Sequence, residues 1–239
     1  MNTIKIEKKG VPLIAHRGCS GLEQENTNAA FVAAGNRSYF GVETDVHKTL
    51  DGQYVIIHDD HTGRVAIDKL SVEESTYDTL RGLLLKQKDG AKGRSDLRIP
   101  NLREYISICQ HYEKIGVLEL KNHFQREEVY EICAIVEEMG YLDQMIFISF
   151  DEENLLFLRE KYPEQPAQFL VSKFEEALIP RLQAHALDLD IYYKALTEEN
   201  VKACHAAGIK VNCWTVDDPE EARRLIAYGV DFITTNILE

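Results

Sequence analysis

The sequence predicts an α/β chain folded as a (β/α)8 TIM barrel, and three observations carry that expectation. Eight short apolar runs recur along the chain. Amphipathic stretches separate most of them. The length, 239 residues, is that of one such barrel, typically about 250 residues. A doubly wound open sheet shares the same βαβ repetition. It is weakened because no Gly-rich dinucleotide fingerprint follows the first run.

The runs are VPLIA (11–15), GVETDV (41–46), IGVLEL (115–120), QMIFIS (144–149), AQFLV (167–171), LDLDI (187–191), IKVNCW (209–214) and VDFIT (230–234). Between them, EEVYEICAIVEEMG (127–140) sets Val129, Ile132, Val136 and Met139 at helical spacing, with Gly140 as a stop. A Thr-x-x-Asn start opens 197–208. Pro219 stands in the first turn of 217–229, and Gly229 ends it. Asp51-Gly52 reads as a hairpin turn, so residues 53–57 are expected to be an accessory strand outside the barrel. The whole of 1–239 reads as one domain, with residues 60–98 a small insertion after the second barrel strand, over one mouth of the barrel. Within it SVEESTYDTLRGL carries a Ser71…Glu74 capping box, and Asn101 with Glu104 forms a second box after it.

Composition excludes several classes. A hydrophobic content of 44% and a charged content of 28% are those of a soluble globular protein. A formal net charge of −13, from 27 Lys and Arg against 40 Asp and Glu, argues against nucleic-acid and anionic-membrane surfaces. An anionic substrate would then need a local positive feature, such as a bound metal ion. The five cysteines form no CxxC pair and read as reduced thiols, without a thiolate zinc site. The start MNTIKIEKKG is polar, and no apolar run approaches the ~18 residues of a membrane span. Cytoplasmic location is the expectation, with no stable membrane insertion. Oligomeric state is not legible.

Glu43 and Asp45 lie two apart in an apolar strand, so they share one face. Facing inward, unpaired carboxylates are strongly disfavoured, and a hard divalent cation resolves the conflict. Facing a helix, they would need a basic partner instead. Glu119 and Lys121 repeat the spacing at the end of GVLELK: a third carboxylate beside a cation, or a simple ion pair. His16 and His58 end two strands and suit a general acid and a general base. Arg17 suits bidentate binding of a phosphate or carboxylate, or a surface ion pair. Trp214 ends its strand, either flooring a pocket or packing in the core. The other six histidines are read as loop or polar-helix residues without a role.

These residues together resemble the glycerophosphodiester phosphodiesterase family. The match is an ordered set: HRG (16–18), ENT (25–27), ETD (43–45), HDD with Arg64 (58–64), ELK (119–121), SF (149–150) and WTV (214–216). The resemblance implies a barrel holding one divalent cation, Ca²⁺ or Mg²⁺ with Mn²⁺ an option, on Glu43, Asp45 and Glu119. It implies His16 and His58 as the acid–base pair and Arg17 and Lys121 as phosphate contacts, with Trp214 at the substrate. The implied reaction cleaves a glycerophosphodiester to glycerol 3-phosphate and an alcohol such as choline or ethanolamine. Either histidine could be the acid, and either water or the glycerol 2-hydroxyl could attack. Competing readings are a lysophospholipase D-type cleavage on the same barrel and a non-catalytic binder of phosphorylated alcohols. Two departures stand out: Gln24 replaces a common proline before ENT, and TTNI replaces a closing TD-x-P, placing Thr235 for the acid and Ile237 for the proline. Both are expected to lie outside the chemical residues.

Overall fold

The computed structural model describes residues 2–91 and 94–239. In chain order its strands and helices are β1 (Leu13–Ala15), α1 (Asn28–Gly35), β2 (Gly41–Lys48), β3 (Tyr54–Ile56), α2 (Tyr77–Gly82), α3 (Leu102–His111), β4 (Ile115–Leu120), α4 (Arg126–Glu138), β5 (Met145–Ser149), α5 (Glu152–Lys161), β6 (Ala167–Val171), α6 (Leu178–Ala184), β7 (Asp188–Tyr192), α7 (Glu198–Ala206), β8 (Val211–Trp214), α8 (Pro219–Tyr228) and β9 (Phe232–Thr235). Eight of the strands run parallel in the order β1, β9, β8, β7, β6, β5, β4, β2. Pairing of β1 with β2, Ile14 opposite Gly41 and Ala15 opposite Val42, closes the ring. An open doubly wound sheet would leave two edges there, so the (β/α)8 expectation holds.

Strand alternation sets what each face meets. Val42 and Val46 of β2, with Leu118 and Leu120 of β4, join the large apolar layer between barrel and helices. Their neighbours Glu43, Asp45 and Glu119 therefore point into the barrel. Deeper inside, Ile14, Val117, Ile146, Ile148 and Leu170 pack as a separate apolar cluster. The barrel strands thus bury an apolar face outward against the helices, and above the inner apolar cluster their inward face carries the polar residues of the site.

β3 is the accessory strand, antiparallel to the end of β2 with Val46 opposite Ile56. The chain after it makes its own small core of Val65, Ala66, Val72, Leu80, Leu85, Leu97 and Ile99. This segment leans on the loop after β1, through Arg94 to Glu23 and Lys88 to the Ser20 carbonyl. Residues 92 and 93 of its polar stretch lie outside the described residues.

One expected cap is corrected here. Ser71 does not open a helix, because it bridges His61 in an isolated antiparallel pair. α2 starts later, where the Thr76 hydroxyl accepts from the Thr79 amide. The second box does form: the Asn101 side chain accepts from the Glu104 amide, and Glu104 accepts from the Asn101 amide. Asn101→Ala is expected to destabilise the protein by about 1 kcal/mol, read as a shift of the urea midpoint without a change in slope. α8 begins at Pro219 and ends on Gly229, whose φ of 87° is the left-handed cap. Among the described residues no helix is long and apolar enough to cross a membrane. All five cysteines are buried and unbonded to one another.

Candidate active site

The site lies where the inner faces of β2 and β4 meet the loops after β1 and β3. His16, directly after β1, has its amide tied to the Thr235 carbonyl at 2.9 Å. Its Nδ1 lies 2.8 Å from the Asn236 side-chain oxygen. That amide is oriented by Asp217, which accepts from the Asn236 Nδ2 at 2.6 Å. The oxygen therefore faces His16, so Nδ1 carries the proton and Nε2 keeps its lone pair. Burial and the neighbouring Arg17 push the His16 pKa down to about 4, leaving the ring neutral. Arg17 takes a left-handed φ of 54°, which turns its amide onto Glu43 Oε2 at 2.8 Å. Gly18 follows because a Cβ there would sit 2.7 Å from the Ala30 carbonyl carbon.

Glu43, Asp45 and Glu119 each offer an oxygen, all within 4.8 Å of one another. β2 and β4 align them by register, with Asp45 directly opposite Glu119. All three are buried. Burial opposes ionisation of Asp45, yet the Arg17 guanidinium, His58, Lys121 and an Asn26 hydrogen bond hold its pKa to about 2. Glu43 and Glu119 go the other way. Burial and the Asp45 charge push Glu119 up to about 8, and burial with both neighbours raises Glu43 well above its ordinary value. Three carboxylates this close and this dry cannot all be charged alone. Asp45 Oδ1 moreover has no hydrogen-bond partner among the described residues. The Lys121 ammonium lies 3.7 Å from it, beyond hydrogen-bond reach, and an all-oxygen trio so placed fits a hard divalent cation.

His58 follows the accessory strand. Its Nδ1 meets Asp59 Oδ1 at 2.6 Å, and its Nε2 lies 2.9 Å from the Lys121 ammonium. An ammonium only donates, so His58 accepts at Nε2 and donates from Nδ1. Lys121 also donates to Glu119 at 2.9 Å. Asp59 is held in turn by Arg64, through Nε at 2.7 Å and Nη2 at 2.9 Å. The same guanidinium reaches Glu25 at 2.6 and 2.9 Å, and Glu25 binds Arg17 at 2.9 Å. Glu25 is thus a partner of the two arginines and not part of the carboxylate trio. Trp214 lines a cavity of about 50 Å³ together with His16, Arg17, Glu43, His58, Glu119 and Lys121. Phe150 and Tyr192 flank it, each with ring centroids 5.6 Å from Trp214. A larger cavity of about 650 Å³ opens beside it, lined by Glu25, Arg64 and Asn236 but by none of the three carboxylates. Both histidines and two of the carboxylates converge on the smaller one, which is the candidate site.

The sequence model of the glycerophosphoryl diester phosphodiesterase family matches residues 16–239. The chain belongs to this family. It is 30% identical over 227 residues to the glycerophosphodiester phosphodiesterase of Caldanaerobacter subterraneus, covering 94% of this chain and 93% of that one. An Oleispira antarctica phosphodiesterase, solved in complex with the product sn-glycerol-3-phosphate, superposes with a TM-score of 0.87 at 28% identity. That match covers 97% of this chain and 95% of the other. The Thermotoga maritima glycerophosphodiester phosphodiesterase gives a TM-score of 0.78 at 27% identity, covering 95% and 94%. The chain is accordingly an enzyme, a phosphoric diester hydrolase of the glycerophosphodiester type.

The structure of this family member brings all eight singled-out residues, His16, Arg17, Glu43, Asp45, His58, Glu119, Lys121 and Trp214, around one barrel mouth. It also adds residues that sequence reading passed over. The TTNI segment does not lie outside the chemical residues, because Asn236 touches His16 directly. The backbone of β9 delivers Asn236 just beyond the strand end, a placement that no short-range pattern reveals. His47 is not a loop histidine: it is fully buried on β2, lies 3.2 Å from the His58 carbonyl and braces it. Its position in the GVETDVHK alternation, in phase with Glu43 and Asp45, was the available signal.

Proposed function

We propose that this enzyme cleaves glycerophosphodiesters to glycerol 3-phosphate and an alcohol in a metal-dependent reaction, with His16 and His58 moving the protons. The observation that carries this reading is the convergence of Glu43 and Glu119, two members of the buried carboxylate trio, with His16 and His58 on one small cavity. A divalent cation on Glu43, Asp45 and Glu119, Ca²⁺ or Mg²⁺ with Mn²⁺ also compatible, supplies Lewis-acid polarisation of the diester. Arg17 and Lys121 answer the charge that builds on the phosphoryl oxygens. The Arg17 Nε is buried 3.6 Å from Asp45 Oδ2 without a hydrogen-bond partner among the described residues, a donor we assign to a phosphoryl oxygen. Trp214 walls the substrate on the opposite side.

The second groups behind the two rings divide the labour. Burial and the Arg17 and Lys121 charges hold the His58 pKa below its ordinary value, while Asp45 and the Asp59 carboxylate that accepts its Nδ1–H oppose them. His16 donates to an uncharged amide and stays neutral. His16 thus takes the proton of the attacking hydroxyl at Nε2. The leaving alkoxide is protonated through His58, whose Nε2 accepts from the Lys121 ammonium and passes that proton on, leaving Lys121 to be reprotonated from solvent. His16→Ala is expected to lower kcat by about 10²- to 10⁴-fold in a glycerol 3-phosphate release assay.

The decisive experiment measures glycerol 3-phosphate released from glycerophosphocholine and glycerophosphoethanolamine, first with chelator, then with Ca²⁺, Mg²⁺ or Mn²⁺ restored. Turnover that returns with one ion supports the reaction and names the ion. Undiminished turnover in chelator removes the metal from the proposal, and no turnover under any condition removes these substrates.

A further inference from the structure

Across the barrel from the carboxylate trio, the cavity is lined by Ile148, Leu170, Asp190, Trp214 and Thr234. Asp190 is 2% exposed and sits on β7 opposite Asn212 of β8. None of the basic residues of the phosphate side appears among the groups that shift its ionisation. Burial alone pushes its pKa up to about 8, against a single hydrogen bond from Asn212. Asn212 is itself occupied, donating to Gln168 and accepting from Thr234, each at 3.2 Å. Two polar atoms are then left over on this side. Asp190 Oδ1 and Trp214 Nε1 are both buried without a hydrogen-bond partner among the described residues. Buried polar groups are normally satisfied, and an orphan beside a cavity calls for a ligand atom. One orphan is a carboxyl oxygen and the other can only donate. The β7–β8 ladder, with Tyr192 opposite Trp214, sets their Cα atoms roughly 8 Å apart. A hydroxyl group answers both, because it donates and accepts. A trimethylammonium group can do neither.

We propose that Asp190 and Trp214 form a subsite for a hydroxyl on the alcohol esterified opposite the glycerol 3-phosphate half, so that the enzyme selects diesters of hydroxyl-bearing alcohols over choline. This deepens the reading above and rests on it. The phosphate lies between the two halves of the cavity, with the trio and Lys121 on one side and the Asp190 subsite on the other. A second alcohol that carries a free hydroxyl fills the subsite, and one without it leaves two desolvated polar atoms unpaired.

The test compares kcat/KM for glycerophosphoglycerol, glycerophosphoethanolamine and glycerophosphocholine in the metal-supplemented wild type, Asp190→Asn and Asp190→Leu, with Asp190→Ala replacing the leucine variant if its circular dichroism shows misfolding. The expected wild-type result is a preference for glycerophosphoglycerol over glycerophosphocholine of about 10- to 100-fold, the worth of one well-made buried hydrogen bond. Asp190→Asn, which still donates and accepts, keeps most of that preference. Asp190→Leu or Ala collapses it to within about threefold, by a loss in KM for glycerophosphoglycerol and, because the unpaired carboxyl is gone, an equal or better KM for glycerophosphocholine. A wild type without the preference overturns the subsite. So does a preference that survives in Asp190→Leu or Ala, or an equal loss on all three substrates, which marks a structural residue. A preference for glycerophosphoethanolamine alone overturns the hydroxyl assignment. Failure of the wild type on all three substrates defeats the underlying phosphodiesterase proposal instead, so the two failures are told apart in one assay.

Discussion

Glu43→Gln is expected to reduce turnover by at least about 10³-fold and, in the same protein, to stabilise the metal-free fold. The two effects have one cause. Glu43 shares its dry corner with Asp45 and Glu119, and burial plus their charges already push its proton affinity up. The amide removes the cost of holding a carboxyl protonated in that corner and can still accept the Arg17 amide hydrogen, now held at 2.8 Å. It also removes one of the three carboxylates proposed to hold the cation, so cation affinity and the polarisation it would supply should both fall. Thermal unfolding separates the consequences. In the wild type, Ca²⁺ or Mg²⁺ should raise Tm by mass action, since it binds the folded trio and not the unfolded chain. In Glu43→Gln the metal-free Tm is higher and the metal-induced rise is gone.

The same trio predicts a pH dependence whose sign follows from Glu119. Its carboxyl is pushed up from 4.5 to about 8. A raised folded-state value means that its contribution is intact below pH 4.5 and is lost as pH climbs toward 8. Metal-free protein should therefore lose stability across that window, and saturating cation should flatten the slope. Full activity of Glu43→Gln in chelator-treated buffer, or a metal-induced Tm rise equal to that of the wild type, would falsify the assignment.

Arg64→Ala is expected to lower kcat by about 10²-fold while moving Tm little. One guanidinium makes four hydrogen bonds to Asp59 and Glu25, at 2.6 to 2.9 Å. Asp59 sets the His58 ring, and Glu25 holds Arg17. Removing Arg64 frees both groups at once, so the proposed proton donor and the proposed phosphate contact lose their aim together. The side chain is 43% exposed, and ion pairs that accessible contribute little to stability. Arg64→Lys carries the charge without the planar fork and should recover only part of kcat. Steady-state kinetics and a melting curve on both variants check this. A Tm drop that matches the loss of activity would assign Arg64 to the fold instead of to the site.

Much of this was written in local pattern. The eight apolar runs fixed the barrel, because strand alternation and helix periodicity are properties of ten-residue windows. The two-residue spacing of Glu43 with Asp45, and of Glu119 with Lys121, puts each pair on one face by strand period alone. The hairpin at Asp51-Gly52 and the box at Asn101 are equally local, and both formed. The failures are also instructive. Ser71 had the composition of a cap, but its backbone was claimed by His61, ten residues away in sequence.

What the sequence alone determined is therefore the class of the fold and the kinds of group the site would hold. Tertiary structure decided which face those groups share and what stands behind them. Inward orientation of the carboxylates required closure of β1 on β2. The tautomer of His16 required Asn236, 220 residues away. The bridge between Arg17 and His58 required Arg64 from the segment after β3. Asp190 gave no signal in LDLDI that set it apart from Asp188, and only the ring of strands brings it to the same cavity as Glu43. The physical reason is common to all four. Side-chain direction is a local consequence of backbone period, whereas burial, hydrogen-bond partners and the resulting proton affinities depend on neighbours that only a closed barrel supplies.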